Sequence, residues 1–136
     1  MPKERAVTLV STPEFESPRI DCIRAAESAR SCVKQTCCMD EIAECRPTCE
    51  DTATVLEALV EMLERPYEPS RAVSLRRMIE AGLAATVECA AVCNEYADEA
   101  QMCAACAADC ERVATALRQL LREFVDDDVA ERSGAT

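Results

Sequence analysis

Eleven cysteines, most of them at steps of three or four residues, run through a chain that contains no histidine. Residues at these steps lie on one face of an α-helix, where bundle proteins usually bury leucine or isoleucine. The cysteines are Cys22, Cys32, Cys37, Cys38, Cys45, Cys49, Cys89, Cys93, Cys103, Cys106 and Cys110. Their spacing predicts packed helices around a core that is lined in part with sulfur.

Composition favours helices over a sheet. The chain of 136 residues has two glycines, two tyrosines, two phenylalanines and no tryptophan. Aromatic residues, which are enriched in strands, are therefore few. This length corresponds to one domain with a core large enough to be stable without disulfides. The odd number of cysteines also fits poorly with a complete set of disulfide pairs.

The first two predicted helices carry periodic apolar faces. Helix 1 is predicted to begin at Ser17 as N-cap, with Pro18 in its first turn, and to run to about Thr36. The repeat of helix 2 consists of Cys38, Ile42, Cys45, Cys49, Thr52, Leu56, Leu59 and Leu63. Pro47 interrupts this repeat. Because the repeat keeps its phase across the proline, we predict a bend there rather than a helix that begins near it.

Two more helices are predicted in the second half. Ser70 is expected to cap helix 3, and Asp98 with Gln101 three residues later resembles a capping box for helix 4. The predicted buried face of helix 3 consists of Leu75, Ile79, Gly82, Thr86, Cys89, Cys93 and Tyr96. That of helix 4 consists of Cys103, Cys106, Cys110, Val113, Leu117, Leu120 or Leu121, and Phe124.

Short connections between these helices predict an all-α fold, an antiparallel up-down-up-down four-helix bundle. The predicted organisation is a flexible N-terminal arm over 1–16, the bundle over 17–125 and a disordered acidic tail over 126–136. The cysteines lie late in helices 1 and 3 and early in helices 2 and 4. Because neighbouring helices run in opposite directions, we expect the cysteines to cluster at one end of the core and aliphatic side chains to fill the other.

The cysteine pairs on single helices suit metal binding, because residues three or four apart have β-carbons about 5–6 Å from one another. The pairs are Cys45 with Cys49, Cys89 with Cys93, Cys103 with Cys106, and Cys106 with Cys110. Soft thiolates favour Cu(I). A Cu(I) ion that replaces one thiol proton leaves the charge of the core unchanged. All eleven cysteines are therefore candidate metal ligands for multiple Cu(I) ions per chain.

Several functions are disfavoured by the sequence. The formal net charge of −11 argues against a nucleic-acid partner. No segment approaches the roughly 20 apolar residues that span a membrane, and the apolar run over 6–10 is too short for a signal peptide. A cytoplasmic protein with reduced thiols is expected. Because no histidine is present to form a Cys-His or Ser-His pair, we do not expect an enzyme.

Three cysteine-containing runs resemble those of the bacterial copper storage proteins, some of which are cytosolic. They are CMDEIAECRPTC (Cys38–Cys49), ECAAVC (Glu88–Cys93) and CAACAADC (Cys103–Cys110). The resemblance covers roughly residues 38–121. Helix 1 matches weakly, because Ala25, Ala29 and Thr36 stand where that family tends to carry more thiols.

The resemblance implies a cysteine-lined four-helix bundle that stores or buffers Cu(I), and a homo-oligomer, with a tetramer suspected. Its partners would be copper ions and a copper chaperone or client enzyme. The chain departs from the family by lacking the histidine that members commonly place near the open end of the bundle. Copper capacity is expected to be lower than in typical cytosolic members, because cysteines are fewer.

Other functions remain open from the residues alone. An iron–sulfur electron carrier is one, although its C-x2-C-x2-C-x3-C-P motif is matched only in part over 103–110. Another is a zinc- or redox-responsive bundle; a zinc site here would have to be all-cysteine, and Cys103 and Cys106 would form the dithiol. A purely structural role is the third, because free cysteine also packs as a small apolar residue.

Overall fold

The computed structural model of the chain describes residues 7–9, 14–36 and 44–126. In these residues four helices form: α1 (Glu16–Thr36), α2 (Cys45–Glu64), α3 (Ala72–Glu95) and α4 (Gln101–Leu121). A 3-10 turn (Pro69–Arg71) precedes α3, and two short strands, β1 (Val7–Leu9) and β2 (Phe124–Asp126), pair antiparallel. None of the described helices is both long enough and apolar enough to cross a membrane.

The helices form a closed antiparallel bundle, which confirms the predicted fold. Each helix packs against its neighbours in sequence, and α1 also packs against α4. The antiparallel arrangement is visible in cross-helix pairs. Arg19, near the start of α1, lies 3.7 Å from Glu64 at the end of α2. Cys32, near the end of α1, lies 3.8 Å from Cys45 at the start of α2.

The core divides into an aliphatic end and a thiol end, as the sequence predicts. The buried residues of the aliphatic end are Cys22, Ala25, Ala26, Leu56, Leu59, Leu63, Ala72, Leu75, Ile79, Val113, Leu117, Leu120 and Phe124. Those of the thiol end are Ala29, Cys32, Cys45, Cys49, Ala53, Cys89, Ala90, Cys93, Cys103, Cys106, Ala107 and Cys110. Of the two leucines considered for helix 4, Leu120 is the buried one, and Leu121 is only partly buried.

The predicted bend at Pro47 is wrong. Helix α2 begins at Cys45, so Pro47 is its third residue and lies in the first turn. The first four N–H groups of a helix have no partner within the helix, so a proline there removes no hydrogen bond. Cys38 and Ile42, which open the predicted repeat, lie outside the described residues.

The predicted helix caps also differ from the structure. Helix α1 begins at Glu16, and the Glu14 carboxylate accepts a hydrogen bond from the Ser17 N–H at 3.0 Å. Helix α3 begins after the 3-10 turn that contains Ser70, with no side-chain cap. Helix α4 has Ala100 at its N-cap position and no side-chain cap. Backbone hydrogen bonds to the Tyr96 carbonyl shape the preceding turn instead, so no capping box with Asp98 forms.

The two short strands are not predicted from the sequence. Strand β1 lies in the segment 1–16, and β2 ends at the border of the segment 126–136. Three residues are too few for an alternating apolar pattern to stand out. The division of the chain into an arm, a bundle and a tail stays a prediction.

Candidate metal centre

Eight cysteines from all four helices meet at the thiol end of the core. Their side chains are completely buried, with 0% exposure. They are Cys32 from α1, Cys45 and Cys49 from α2, Cys89 and Cys93 from α3, and Cys103, Cys106 and Cys110 from α4. None of the eight forms a disulfide. The alternation of helix direction brings them together, because each helix carries its cysteines in the half that reaches this end.

The sulfur atoms lie close enough to share metal ions. The Cys32 sulfur lies 3.8 Å from the sulfurs of both Cys45 and Cys103. The Cys49 sulfur lies 3.7 Å from that of Cys89 and 3.5 Å from that of Cys93. These contacts cross from one helix to another, so the sulfurs form a continuous network rather than isolated pairs.

Three groups within this network have all their sulfur atoms within 4.8 Å of one another. The groups are Cys32, Cys45 and Cys103; Cys32, Cys49, Cys93 and Cys106; and Cys89, Cys106 and Cys110. Cys32 and Cys106 each belong to two groups, and this overlap links the three. An ion held by one group would therefore share ligands with an ion held by the next.

The thiols at this end do not ionise independently. Burial and the neighbouring negative charge of Cys32 raise the pKa of Cys103 to about 12, and the same two causes raise the pKa of Cys45. Hydrogen bonds from Cys106, Cys49 and Cys93 lower the pKa of Cys32. Hydrogen bonds from neighbouring thiols likewise lower the pKa of Cys89. The thiolate form of these two is thus favoured by S–H donors, while further ionisation is opposed by burial and like charge. Because burial and like charge oppose the ionisation of most of these thiols, a metal ion that binds them must displace protons.

Threonine hydroxyls border the thiols and are satisfied by the backbone. Thr36, in the last turn of α1, donates to the Cys32 carbonyl at 2.6 Å, and its oxygen lies 4.0 Å from the Cys45 sulfur. Thr86 donates to the Gly82 carbonyl at 2.9 Å. Thr52 donates to the Ala85 carbonyl at 3.2 Å. Each of these hydroxyl protons is therefore already donated to a carbonyl, and the eight sulfurs are the soft ligand atoms of the buried site.

A polar contact that the sequence does not reveal lies near the end of the bundle. The half-buried Tyr96 donates a hydrogen bond from its hydroxyl to the Glu44 carboxylate at 3.3 Å. This hydrogen bond joins Tyr96, which directly follows α3, to Glu44, which directly precedes α2. The partners are 52 residues apart, so no local spacing pattern predicts the contact.

Of the described candidate cysteines, Cys22 is the one that does not belong to this network. Cys22 is fully buried, but it packs in the aliphatic end of the core. Burial and the nearby Asp21 carboxylate raise its pKa to about 12. Cys37 and Cys38 lie outside the described residues.

The fold and the sulfur network together define a cysteine-lined four-helix bundle. The chain is similar to the cytosolic copper storage protein of Streptomyces lividans, solved during copper loading with five coppers. That match has a TM-score of 0.74 and 24% identity over 79% of this chain and 92% of the other. The same protein, Ccsp, loaded with 10 copper equivalents, matches with a TM-score of 0.72 and 21% identity over 84% of this chain and 94% of the other. No protein-family model and no curated protein sequence matches the chain. The similarity establishes the fold expected from the resemblance of the cysteine runs.

Proposed function

We propose that this protein stores or buffers multiple Cu(I) ions on its core thiolates and catalyses no reaction. The observation that carries the proposal is the network of eight buried sulfurs in three overlapping groups. Thiolates are the ligands that Cu(I) prefers. The two solved Streptomyces lividans structures with this fold, described as loaded with five coppers and with 10 copper equivalents, support the same function.

Charge balance explains why such a core suits a monovalent ion. Each Cu(I) that binds a thiolate replaces one proton, so the buried region gains no net charge. Uncompensated charge in a dry core would cost several kcal/mol per ion. A core of protonated thiols can therefore accept up to about one Cu(I) per sulfur without an electrostatic penalty that grows with loading.

The proposed ligands are the eight cysteines of the network. Cys37 and Cys38 come directly after α1 in the sequence and are proposed as additional ligands. Cys22 packs among aliphatic side chains and is not part of the proposed site. An iron–sulfur cluster is not favoured, because its ligands usually come from a loop wrapped around the cluster, whereas the described cysteines lie on helices.

The proposal also covers the cellular location, the partners and the oligomeric state of the protein. A cytoplasmic location and a role in limiting free copper agree with the name of the similar Streptomyces lividans protein. A copper chaperone or a client enzyme would be the partner that delivers or receives the ion. We propose a homo-oligomer, with a tetramer as the first assembly to test by light scattering.

Anaerobic titration of the reduced, metal-free protein with Cu(I), in competition with a chromophoric Cu(I) chelator, tests the function. We expect tight uptake of about eight equivalents or more per chain. A variant in which Cys89, Cys106 and Cys110 are all replaced by alanine should lose about three equivalents, and Cys22→Ala should lose none. Uptake below two equivalents by the unaltered protein would contradict storage.

A further inference from the structure

One cysteine from each helix contributes to a compact group at the centre of the sulfur network. The group is Cys32, Cys49, Cys93 and Cys106, here called the central tetrad. All four sulfur atoms lie within 4.8 Å of one another, and all four side chains have 0% exposure. It is the one group of four among the described cysteine groups; the other two contain three sulfurs each.

The dimensions of the central tetrad match a tetrahedral metal site. A tetrathiolate ion with metal–sulfur bonds of about 2.3 Å has sulfur–sulfur edges of about 3.8 Å. The Cys49–Cys93 distance of 3.5 Å is already slightly shorter than this edge, and none of the distances exceeds 4.8 Å. A contraction of the longest edges by at most about 1 Å, within reach of side-chain rotation, would complete the tetrahedron.

Three further cysteine sulfurs lie within hydrogen-bond distance of the central tetrad. Cys45 and Cys103 each place a sulfur 3.8 Å from Cys32. Cys89 places its sulfur 3.7 Å from Cys49 and 4.0 Å from Cys93. A divalent ion held by four thiolates carries two negative charges, which a dry core disfavours. S–H groups that donate to the coordinated sulfurs would disperse this charge, as outer-shell donors do in other metal sites.

We propose that the central tetrad is a tetrathiolate site for one divalent d10 ion, Zn²⁺ or Cd²⁺. Binding removes four protons from the four thiols and leaves a complex with two negative charges. Cys45, Cys103 and Cys89 lie in contact with the sulfurs of the tetrad and act as positioning residues. This site takes one divalent ion and does not depend on whether the protein stores Cu(I).

Cobalt and cadmium are the probes for this site, with the reduced, copper-free full chain under anaerobic conditions. Co²⁺ should give the visible absorption of a tetrahedral tetrathiolate and saturate at one equivalent per chain. Protein loaded with one equivalent of ¹¹³Cd²⁺ should show a single NMR resonance in the range of four-sulfur coordination. Absence of saturable binding, or a resonance in the range of three-sulfur coordination, would overturn the proposal.

Variants locate the site within the network. Cys93→Ala and Cys106→Ala should abolish the four-sulfur spectrum, and Cys22→Ala should keep both the spectrum and the affinity. Cys45→Ala should keep the four-sulfur spectrum while Co²⁺ affinity falls about 10–100-fold, as expected for loss of an outer-shell donor. Retention of the spectrum by Cys93→Ala, or its loss in Cys45→Ala, would overturn the assignment.

Two features make this test independent of how the variants fold and of whether the protein stores Cu(I). The helical content of each variant is checked by far-UV circular dichroism, and the cadmium spectrum of the unaltered protein needs no variant at all. Because no sample contains copper, failure here leaves Cu(I) storage standing. Failure of the Cu(I) titration likewise leaves the divalent site standing.

Discussion

Replacement of Cys22 tests the burial of a thiol away from the metal centre. Cys22 is fully buried in the aliphatic end, and its pKa in the folded protein is raised to about 12. An unfolded cysteine has a pKa of about 8.5. Above pH 8.5 the unfolded chain therefore loses this proton while the folded chain keeps it. The stabilising effect is complete below the unfolded pKa and is lost as pH rises toward the folded value.

The magnitude follows from this difference in pKa. Each pH unit between the two pKa values costs about 1.4 kcal/mol of unfolding free energy per thiol. Integrated from pH 8 to pH 10, Cys22 alone should contribute a loss of about 2 kcal/mol. In Cys22→Ala this contribution is absent, so the stability difference between the unaltered protein and the variant should shift by that amount over the same range.

Urea unfolding of the reduced, metal-free protein at pH 8, 9 and 10, followed by far-UV circular dichroism, measures the effect. Leu56→Ala is the matched control: it also removes a fully buried side chain from the aliphatic end, but it carries no titrating group. Its stability deficit should stay constant with pH. Parallel pH profiles for the unaltered protein and Cys22→Ala would refute the reasoning.

Three further predictions concern the aliphatic end, the thiol end and the protons displaced by Cu(I). Leu56→Ala should lower the unfolding free energy by about 2–5 kcal/mol, while the Cu(I) stoichiometry measured by chelator competition stays unchanged; a lower stoichiometry would contradict separate roles. Cys49→Ala should reduce Cu(I) uptake by about one equivalent in the same titration with helical content retained; unchanged uptake would exclude Cys49 as a ligand. Cu(I) binding at pH 7 should release about one proton per ion, measured with a pH indicator in weak buffer, and should weaken as pH falls; no proton release would contradict protonated thiols.

The helices and the thiol end were predictable because both depend on local spacing. Steps of three and four residues place Cys89 and Cys93 on one helix face, and the antiparallel order of helices places them opposite Cys49. The segregation of leucine from cysteine along each helix then determines which end carries the metal centre. All of this follows from sequence periodicity and short connections.

The details that the sequence missed depend on longer-range or weaker effects. The phase of the repeat across Pro47 suggested a continuous helix, yet α2 begins at Cys45. Pro47 then lies in the first turn, where a proline removes no backbone hydrogen bond. The central tetrad needs one residue from each helix, and no spacing along one helix identifies which sulfur of each pair points to the centre. Cys22 lies on the same predicted helix face as Cys32, but it packs in the aliphatic end of the core.

The crystal structure of the Cu(I)-loaded protein, with anomalous scattering recorded at the copper absorption edge, tests the central claim most directly. The account predicts multiple copper peaks among the eight cysteines of the sulfur network. It predicts none beside Cys22. Copper at the protein surface with an empty thiol end, or a peak bound to Cys22 among the leucines, would contradict it.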